Sequence, residues 1–258
     1  MKKTIPIALI TAVAATASLQ CGIKPAGDPD GVSDDSAANA DSIAIADSIV
    51  RADSLAREES ARYERLSDED YAQVAKEMGV EVAAIKAVVD IEAGAAHKGF
   101  WAPGKPLINF DLSIYRKMAP KHGLNLAALR KSNPMIFAAP NIKKYGSQQA
   151  AEQAILDAAA AVDTASAWES TFWGMFQIGG FNYKLCGYGS VQEFVEAMSY
   201  SEHEQLEIFA HFCDTLGYTK YIRSRDWAGF SRRYNGPSYK SRRYDTRMAA
   251  AYRKYSAR

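Results

Sequence analysis

The stretch that decides the fold reads Val80-Glu81-Val82-Ala83-Ala84-Ile85-Lys86-Ala87-Val88-Val89-Asp90-Ile91-Glu92. Within it, Ile85, Val88 and Val89 recur at positions i, i+3 and i+4, the spacing of an apolar stripe on an amphipathic helix. Glu92 follows Ile85 by seven residues and Val88 by four, so it lies on the same stripe. Gly94 comes two residues after Glu92 and favours the end of the helix. The stretch therefore predicts a core-facing helix that ends in a carboxyl group.

Glu92 is unusual because a carboxylate at that position meets two unfavourable effects. Burial disfavours the charged form and the negative end of the helix dipole disfavours it further, so both raise the pKa of the carboxyl. A carboxylic acid that stays protonated near neutral pH can act as a general acid. Spacing alone leaves a second possibility open, in which the helix end frays and exposes Glu92 to solvent.

The rest of the chain after Leu66 predicts a mainly α-helical domain. Ser67 is a good N-cap with Asp70 three residues later, which is the pattern of a capping box. Residues 107–110 follow the turn signal Pro103-Gly104 and predict one strand of a small β-hairpin. Further helices are expected at 113–121, 125–131, 148–168, 190–198, 202–216, 219–223, 226–232 and 243–255. Functional residues are expected in the glycine-rich connections between them.

The composition is that of a globular protein of 258 residues, with 48% hydrophobic and 24% charged residues. Three cysteines and four histidines occur without a CxxC or HExxH pattern, so we expect neither a metal site nor a cofactor. Cys186 and Cys213 could pair in an oxidising compartment, a question that the sequence leaves open. Past the N-terminus no apolar run reaches the length of a membrane span. A membrane channel, a zinc module and a disordered protein are therefore excluded.

The N-terminus has the pattern of a bacterial export signal. Two lysines precede an apolar stretch at 5–19 that is too short to span a membrane, and Cys21 follows it. This order resembles a lipoprotein signal, in which the cysteine becomes the lipidated first residue; cleavage after Ala17 is the alternative and would release a soluble protein. Residues 22–66 are rich in Ala, Asp and Ser and predict a solvated, partly helical linker. We expect a signal peptide at 1–21, a linker at 22–66 and a folded domain at 67–258, in an exported periplasmic or outer-membrane-associated lipoprotein.

Three short motifs follow one another in the folded region. Glu92-Ala93-Gly94 ends the apolar helix, Trp173-Gly174-Met175-Phe176-Gln177-Ile178 comes second, and Tyr234-Asn235-Gly236-Pro237-Ser238-Tyr239 comes last. Their order and spacing resemble the N-acetylmuramidase family of phage endolysins, part of the lysozyme-like superfamily, over essentially all of residues 67–258. The resemblance implies a helical lysozyme-like domain that cleaves the β-1,4 bond between N-acetylmuramic acid and N-acetylglucosamine in peptidoglycan.

By that resemblance Glu92 is the catalytic acid, Gln177 lines the cleft, and Tyr234 and Asn235 face the acid. The amide of Gln177 can both donate and accept hydrogen bonds, which suits N-acetyl groups and sugar hydroxyls. We also expect Tyr239 to bind substrate or to hold the acid by a hydrogen bond. These side chains are the predicted site.

Two positions depart from the family pattern. Ala93 stands where a serine is usual, and Asp111 stands where a glutamate is usual. Asp111 is the second carboxylate that we predict for the reaction, and an N-cap for a helix beginning near residue 112 is its alternative role. Trp173, Phe176 and Phe181 would supply flat apolar faces for sugars, or they pack in the core.

The charge pattern bears on the partners. Residues 22–70 carry thirteen acidic against five basic residues, whereas residues 220–258 carry twelve basic residues against two acidic ones. The basic segment would attract the peptide carboxylates of peptidoglycan or anionic lipid, or it forms a solvated helix face. No nucleic-acid recognition motif accompanies the charge, so we do not expect the protein to bind nucleic acid. We expect a monomer that is attached to the membrane through the lipid anchor. Two other functions stay open: a lytic transglycosylase that forms anhydro-muramic products, and a non-catalytic peptidoglycan-binding lipoprotein.

Overall fold

The computed structural model describes residue 45 and residues 48–55, 62–94 and 98–257. The predicted signal peptide, its Cys21 and most of the predicted linker lie outside the described residues. Residues 48–55 of the linker are helical, with exposed side chains. Among the described residues no helix is long and apolar enough to cross a membrane.

The folded domain is built mainly from α-helices. Their bounds are α1 Asp68–Met78, α2 Val82–Glu92, α3 Leu112–Met118, α4 Leu126–Ser132, α5 Ile142–Tyr145, α6 Gln148–Ala160, α7 Thr164–Glu169, α8 Val191–Met198, α9 Glu202–Thr215, α10 Thr219–Arg223, α11 Trp227–Tyr234 and α12 Tyr244–Ser256. Short 3-10 turns occupy Ala119–His122, Pro134–Phe137, Gly180–Asn182 and Pro237–Tyr239. The predicted fold class, mainly α with a small β element, is confirmed.

The helix α2 carries the apolar stripe that the sequence predicts. Ile85 and Val88 are fully buried and Val89 is 1% exposed, so the stripe lies in the hydrophobic core. The C-terminal helix α12 packs along α2. This packing fixes the end of α2, and with it the position of Glu92.

The start of the domain has the predicted capping box. Ser67 Oγ accepts a hydrogen bond from the backbone N–H of Asp70, and the Asp70 carboxylate accepts one from the backbone N–H of Ser67. Contacts with the domain begin slightly earlier, because the ring of Tyr63 packs edge-on against Phe100 with 5.1 Å between centroids. The last residues of the predicted linker are thus held on the domain.

Two small antiparallel β units accompany the helices. Their strands are β1 Phe100–Ala102 paired with β2 Lys105–Pro106, and β3 Ile108–Phe110, β4 Thr171–Trp173 and β5 Ile178–Gly179 in a three-stranded sheet with β4 central. Ile108 pairs with Trp173 and both are buried, so one face of this sheet packs on the core. Asn109 pairs with Phe172 on the other face. The strand expected at 107–110 is present at Ile108–Phe110, but it pairs with the distant β4 rather than in the expected hairpin. The hairpin at the Pro103-Gly104 turn is formed by β1 and β2, and the sequence does not predict β4 and β5.

The helix predicted at 148–168 is two helices, α6 and α7. Asp163 Oδ1 accepts a hydrogen bond from the backbone N–H of Ser166 at 2.7 Å and caps the start of α7. An aspartate that satisfies the free N–H groups of a new helix competes with continuation of the previous one. The break turns the chain so that α7 leads directly into β4.

Candidate active site

A cleft of about 410 Å³ opens beside the C-terminal end of α2. The strand β3, the turn between β4 and β5 and the first turns of α6 form its other walls. The residues that line it are Glu92, Ala93, Gly94, Leu107, Ile108, Asn109, Gln148, Gln149, Glu152, Gly174, Met175 and Gln177. The cleft therefore brings the first two sequence motifs together.

Glu92 is half-buried at the wall of this cleft. Burial raises the pKa of the Glu92 carboxyl from its ordinary 4.5 to about 7. Two groups oppose this rise: the side-chain amide of Asn235, which donates to Glu92 Oε1 at 2.9 Å, and the positive charge of Arg247 on α12. Because the Glu92 side chain is partly exposed at the cleft and its pKa is near neutrality, it can hold a proton and deliver it into the cleft.

The third motif reaches Glu92 from the end of α11. Tyr234 is stacked on Phe230, with 5.3 Å between ring centroids, and its hydroxyl donates to the backbone carbonyl of Phe176 at 2.9 Å. Burial raises the pKa of Tyr234, and the nearby Glu92 carboxylate raises it further. Tyr234 is thus a neutral hydroxyl that fixes α11 against the second motif, which sets the direction of Asn235.

The second motif forms the tight turn between β4 and β5. Gly174 and Gln177 both have left-handed backbone conformations, with φ of 71° and 49°. The side-chain amide of Gln177 donates to the carbonyl of Gly174 at 2.9 Å, and the side chain remains exposed at the cleft. Gln177 therefore lines the cleft, and its role in binding substrate stays a prediction.

Gln205 on α9 holds this turn from behind. The side chain is fully buried, and its Oε1 accepts a hydrogen bond from the backbone N–H of Met175 at 2.8 Å. Its Nε2 donates to the carbonyls of Met198 at 2.8 Å and Gly99 at 3.3 Å. A Cβ on Gly174 would lie 2.7 Å from Gln205 Oε1, so the close approach requires glycine there. Gln205 could not be predicted as a site residue, because no motif or periodic pattern near it in the sequence distinguishes it.

Trp173 and Phe176 are placed in the core. They are 4% and 3% exposed, and neither is among the residues that line the cleft. Phe176 stacks on Phe209 with 4.3 Å between centroids, and Trp173 Nε1 donates to the carbonyl of Trp168 at 3.1 Å. Both rings are therefore packed in the core, which is the alternative role that the sequence left open for them.

Tyr239 is also buried, at 4% exposure. Its hydroxyl has no hydrogen-bond partner within the described residues, so the hydrogen bond that we expected to Glu92 is not formed. The acid is held by Asn235 instead.

Asp111 caps the helix α3 and does not line the cleft. Its Oδ1 accepts hydrogen bonds from the backbone N–H groups of Ser113 at 2.7 Å and Ile114 at 3.0 Å. Partial burial acts to raise the pKa of Asp111, but the hydrogen bonds from Ser113 and Ile114 outweigh it and hold the pKa below its ordinary value. The predicted N-cap is confirmed; the catalytic role of Asp111 stays a prediction.

Glu152 on α6 is a second carboxylate at the cleft and is not among the site residues predicted from sequence. It is 7% exposed; its Oε2 accepts from the backbone N–H of Phe110 at 3.2 Å and its Oε1 from the Gln148 side chain at 2.8 Å. In the sequence, Glu152 is marked by the same pattern as Glu92, a carboxylate on the apolar stripe of a helix. Ile155 and Leu156 follow at i+3 and i+4 and are buried, so Glu152 lies on an apolar stripe.

The described part of the chain contains no group of three or more His, Cys, Asp or Glu side chains that could hold a metal ion. Cys186 and Cys213 are both buried and unpaired, and burial raises the pKa of the Cys186 thiol to about 12. Neither thiol is therefore prone to form a thiolate nucleophile.

Comparisons with known proteins agree with this architecture. Residues 81–256 match the N-acetylmuramidase family. The crystal structure of a Burkholderia AP3 phage endolysin is similar to the chain, with 36% sequence identity and a TM-score of 0.65, over 75% of this chain and 73% of that one. No curated protein sequence matches significantly.

Proposed function

Since the chain belongs to the N-acetylmuramidase family, we propose that it hydrolyses the β-1,4 bond between N-acetylmuramic acid and N-acetylglucosamine in peptidoglycan. Family membership makes the chain a peptidoglycan-cleaving enzyme. We propose which glycosidic bond is cleaved and by which mechanism. One observation carries it: a carboxyl with a pKa of about 7 lies at the wall of a cleft, hydrogen-bonded by an amide from the third motif.

Glu92 is the proposed general acid. Its proton moves to the glycosidic oxygen, the bond from that oxygen to the anomeric carbon breaks, and the electron pair stays on the oxygen. Asn235 then donates its hydrogen bond to the carboxylate that remains. Positioned acids of this kind contribute about 10²–10⁴ in rate.

Glu152 is the proposed second carboxylate, in place of Asp111. It lines the same cleft as Glu92, whereas the carboxylate of Asp111 is engaged as a helix cap. A water molecule attacks the anomeric carbon and its proton passes to Glu152, after which solvent returns both carboxyl groups to their starting states. This sequence of steps inverts the anomeric configuration.

A lytic transglycosylase is the second candidate function. Both oxygens of Glu152 and one oxygen of Asp111 already accept hydrogen bonds from the protein, which favours a reaction that needs no second carboxylate. In that reaction Glu92 protonates the leaving oxygen and the bond from that oxygen to the anomeric carbon breaks. The 6-hydroxyl of the muramic acid attacks its own anomeric carbon and gives its proton to the Glu92 carboxylate, which restores the acid. Products with reducing ends would indicate hydrolysis, and anhydro-muramic ends would indicate the transglycosylase.

The decisive experiment incubates the full protein and its Glu92→Gln variant with purified sacculi. We expect the parent to release soluble muropeptides and the variant to be at least about a hundredfold slower, as for loss of a general acid. Glu77→Gln on α1 is the matched control, because Glu77 is exposed outside the cleft. Equal rates for parent and Glu92→Gln would remove Glu92 from the mechanism. Binding without release by the parent would favour the non-catalytic lipoprotein.

The chain is further proposed to be an exported lipoprotein, with a signal peptide at 1–21, lipid on Cys21, a linker at 22–66 and the catalytic domain at 67–258. The basic start, the apolar stretch and the cysteine support this proposal. Labelled palmitate should enter the parent and not Cys21→Ser. If neither protein is labelled and both are recovered in the soluble fraction, the anchor does not exist. We propose that the protein acts as a monomer, which sedimentation of the detergent-solubilised protein would test.

A further inference from the structure

The outer face of the three-stranded sheet carries aromatic side chains beside the cleft. Asn109 on β3 pairs with Phe172 on β4, and Phe172 pairs with Gly179 on β5. Residues paired across antiparallel strands point to the same face, so the side chains of Asn109 and Phe172 are neighbours on the face away from the core. Asn109 is exposed and Phe172 is half-buried.

A glycine on β5 makes room for a second ring on this face. A Cβ on Gly179 would lie 2.3 Å from Cε1 of Phe181, so the ring of Phe181 occupies the space where a side chain would stand. Phe181 contacts Phe172 edge-to-face, with 6.1 Å between centroids and 84° between planes. Phe181 is nevertheless 39% exposed. The two rings and Asn109 form what we call the aromatic platform.

The aromatic platform is continuous with the cleft. Asn109 belongs to both, since it lines the cleft that contains Glu92 and neighbours Phe172 across the strand pair. The neighbouring Gln177 leads into β5 from the cleft side. A polymer that fills the cleft and leaves it over β3 would meet the platform next.

We propose that the aromatic platform is a sugar subsite outside the cleft, which binds the glycan strand of peptidoglycan. This inference rests on the proposed function. The carbon-bound hydrogens on a sugar ring are an apolar face that suits an aromatic surface, and exposed apolar patches commonly mark ligand grooves. The amide of Asn109 can donate to and accept from an N-acetyl group or a hydroxyl. The occupant is a polysaccharide and not a stem peptide, because no charged side chain belongs to the platform.

The test compares binding of long and short glycans to the full protein carrying Glu92→Gln, which keeps substrate intact. The probes are peptide-free glycan strands from amidase-treated sacculi and the tetrasaccharide fraction of the same material. Phe181→Leu removes the flat ring and retains an apolar side chain, whereas Phe181→Tyr retains the flat ring. We expect Phe181→Leu to weaken binding of long strands about tenfold, equivalent to about 1.4 kcal/mol, with the tetrasaccharide unaffected. Phe181→Tyr should bind both like its parent.

Tyr200→Ala is the matched control, because Tyr200 is 41% exposed in the turn after α8 rather than on the sheet. Equal weakening of long strands and tetrasaccharide by Phe181→Leu, or no weakening of either, would overturn the subsite. Weakening seen only with strands that retain their peptides would assign the platform to the peptide and overturn it also. Failure of the proposed function would be seen in a different experiment, in which the protein with Glu92 intact releases no muropeptides from sacculi.

Discussion

Asn235 donates a hydrogen bond through Nδ2 to Glu92 Oε1 at 2.9 Å, although 143 residues separate the two in sequence. Burial favours the protonated form of Glu92 and this bond favours the ionised form. The pKa of about 7 is the balance of these effects, with a smaller contribution from Arg247. The amide therefore sets how much of the acid is protonated at a given pH and also orients it.

Asn235→Ala should move the alkaline limb of activity upwards. Without the donor the ionised carboxylate is less stable, so the pKa of Glu92 rises. A hydrogen bond to a charged group contributes about 1.5 kcal/mol, so the midpoint should move by about one pH unit. The measurement is kcat/KM on sacculi against pH. A midpoint of the alkaline limb that moves to lower pH would contradict the inference that Asn235 lowers the pKa of Glu92.

Arg247→Met should act in the same direction by a smaller amount. The guanidinium lowers the pKa of Glu92 through its charge, and methionine retains the apolar stem. Arg253→Met on the same helix is the control, because Arg253 is exposed near the helix end and does not appear among the groups that act on Glu92. A pH profile shifted equally by both variants would assign the effect to net charge.

Glu92→Gln should stabilise the protein at alkaline pH. Burial raises the pKa of Glu92 from 4.5 to about 7, so the folded state retains a proton that the unfolded state loses between those values. Stability of the parent therefore falls as pH rises through that window. The uncharged amide avoids this loss. Its free energy of unfolding should exceed that of the parent by about 1–3 kcal/mol near pH 8 and match it near pH 4.

Urea unfolding at both pH values measures this difference. An advantage of the variant that persists at pH 4 would indicate better packing of the amide rather than removal of a buried charge.

The position of Glu92 could be predicted from sequence because it depends on one helix. The stripe of Ile85 and Val88 fixes which face is buried, and the acid follows by periodicity. Glu152 carries the same signal, but the sequence does not show that α6 borders the cleft. That knowledge requires the packing of α6 against β3, a contact between distant parts of the chain.

The turn of the second motif could not be predicted for a related reason. Gly174 and Gln177 take left-handed conformations, and the turn is held by Gln205, which is 30 residues beyond Met175. The strands on either side have two or three residues, too few for an alternating pattern to be recognised. Trp173 and Phe176 illustrate the consequence: their motif is at the cleft, yet both rings lie in the core.

Asp111→Ala and Glu152→Gln should separate stability from catalysis. Loss of the N-cap by Asp111→Ala should lower the free energy of unfolding by about 0.5–2 kcal/mol and leave kcat within a few-fold. Glu152→Gln keeps an oxygen that can accept from the Phe110 N–H, so it should fold like the parent and lose about a hundredfold in kcat. Denaturant unfolding and initial rates on sacculi measure both quantities. A large loss of kcat in Asp111→Ala with little loss in Glu152→Gln would make Asp111 the second carboxylate, whereas losses below about tenfold in both variants would favour the transglycosylase.

Gln205 should act as a positioning residue, and two substitutions distinguish this from a purely structural role. Gln205→Leu leaves the buried Met175 N–H without its acceptor and removes the donor to the Met198 carbonyl, at a cost of about 1–3 kcal/mol for each unsatisfied group, whereas the Gly99 carbonyl keeps its hydrogen bond from the Leu107 N–H. That variant should unfold easily. Gln205→Glu keeps an acceptor for Met175 and removes both donor bonds, so it tests the anchoring of position 205 to Met198 and Gly99 while the bond to the turn is retained.

In Gln205→Glu we expect kcat to fall about tenfold, because the Gly174–Gln177 wall is less well held, while the alkaline midpoint set by Glu92 stays where it is in the parent. Gln192→Glu on α8 is the control, since the Gln192 side chain is exposed, does not line the cleft and donates a hydrogen bond to Glu196. A fall in kcat that disappears when rates are corrected for the folded fraction would make Gln205 merely structural. A shifted pH midpoint would mean instead that the buried carboxyl introduced at position 205 acts on Glu92 through its charge, and the link from Gln205 to the cleft wall would have no part in catalysis.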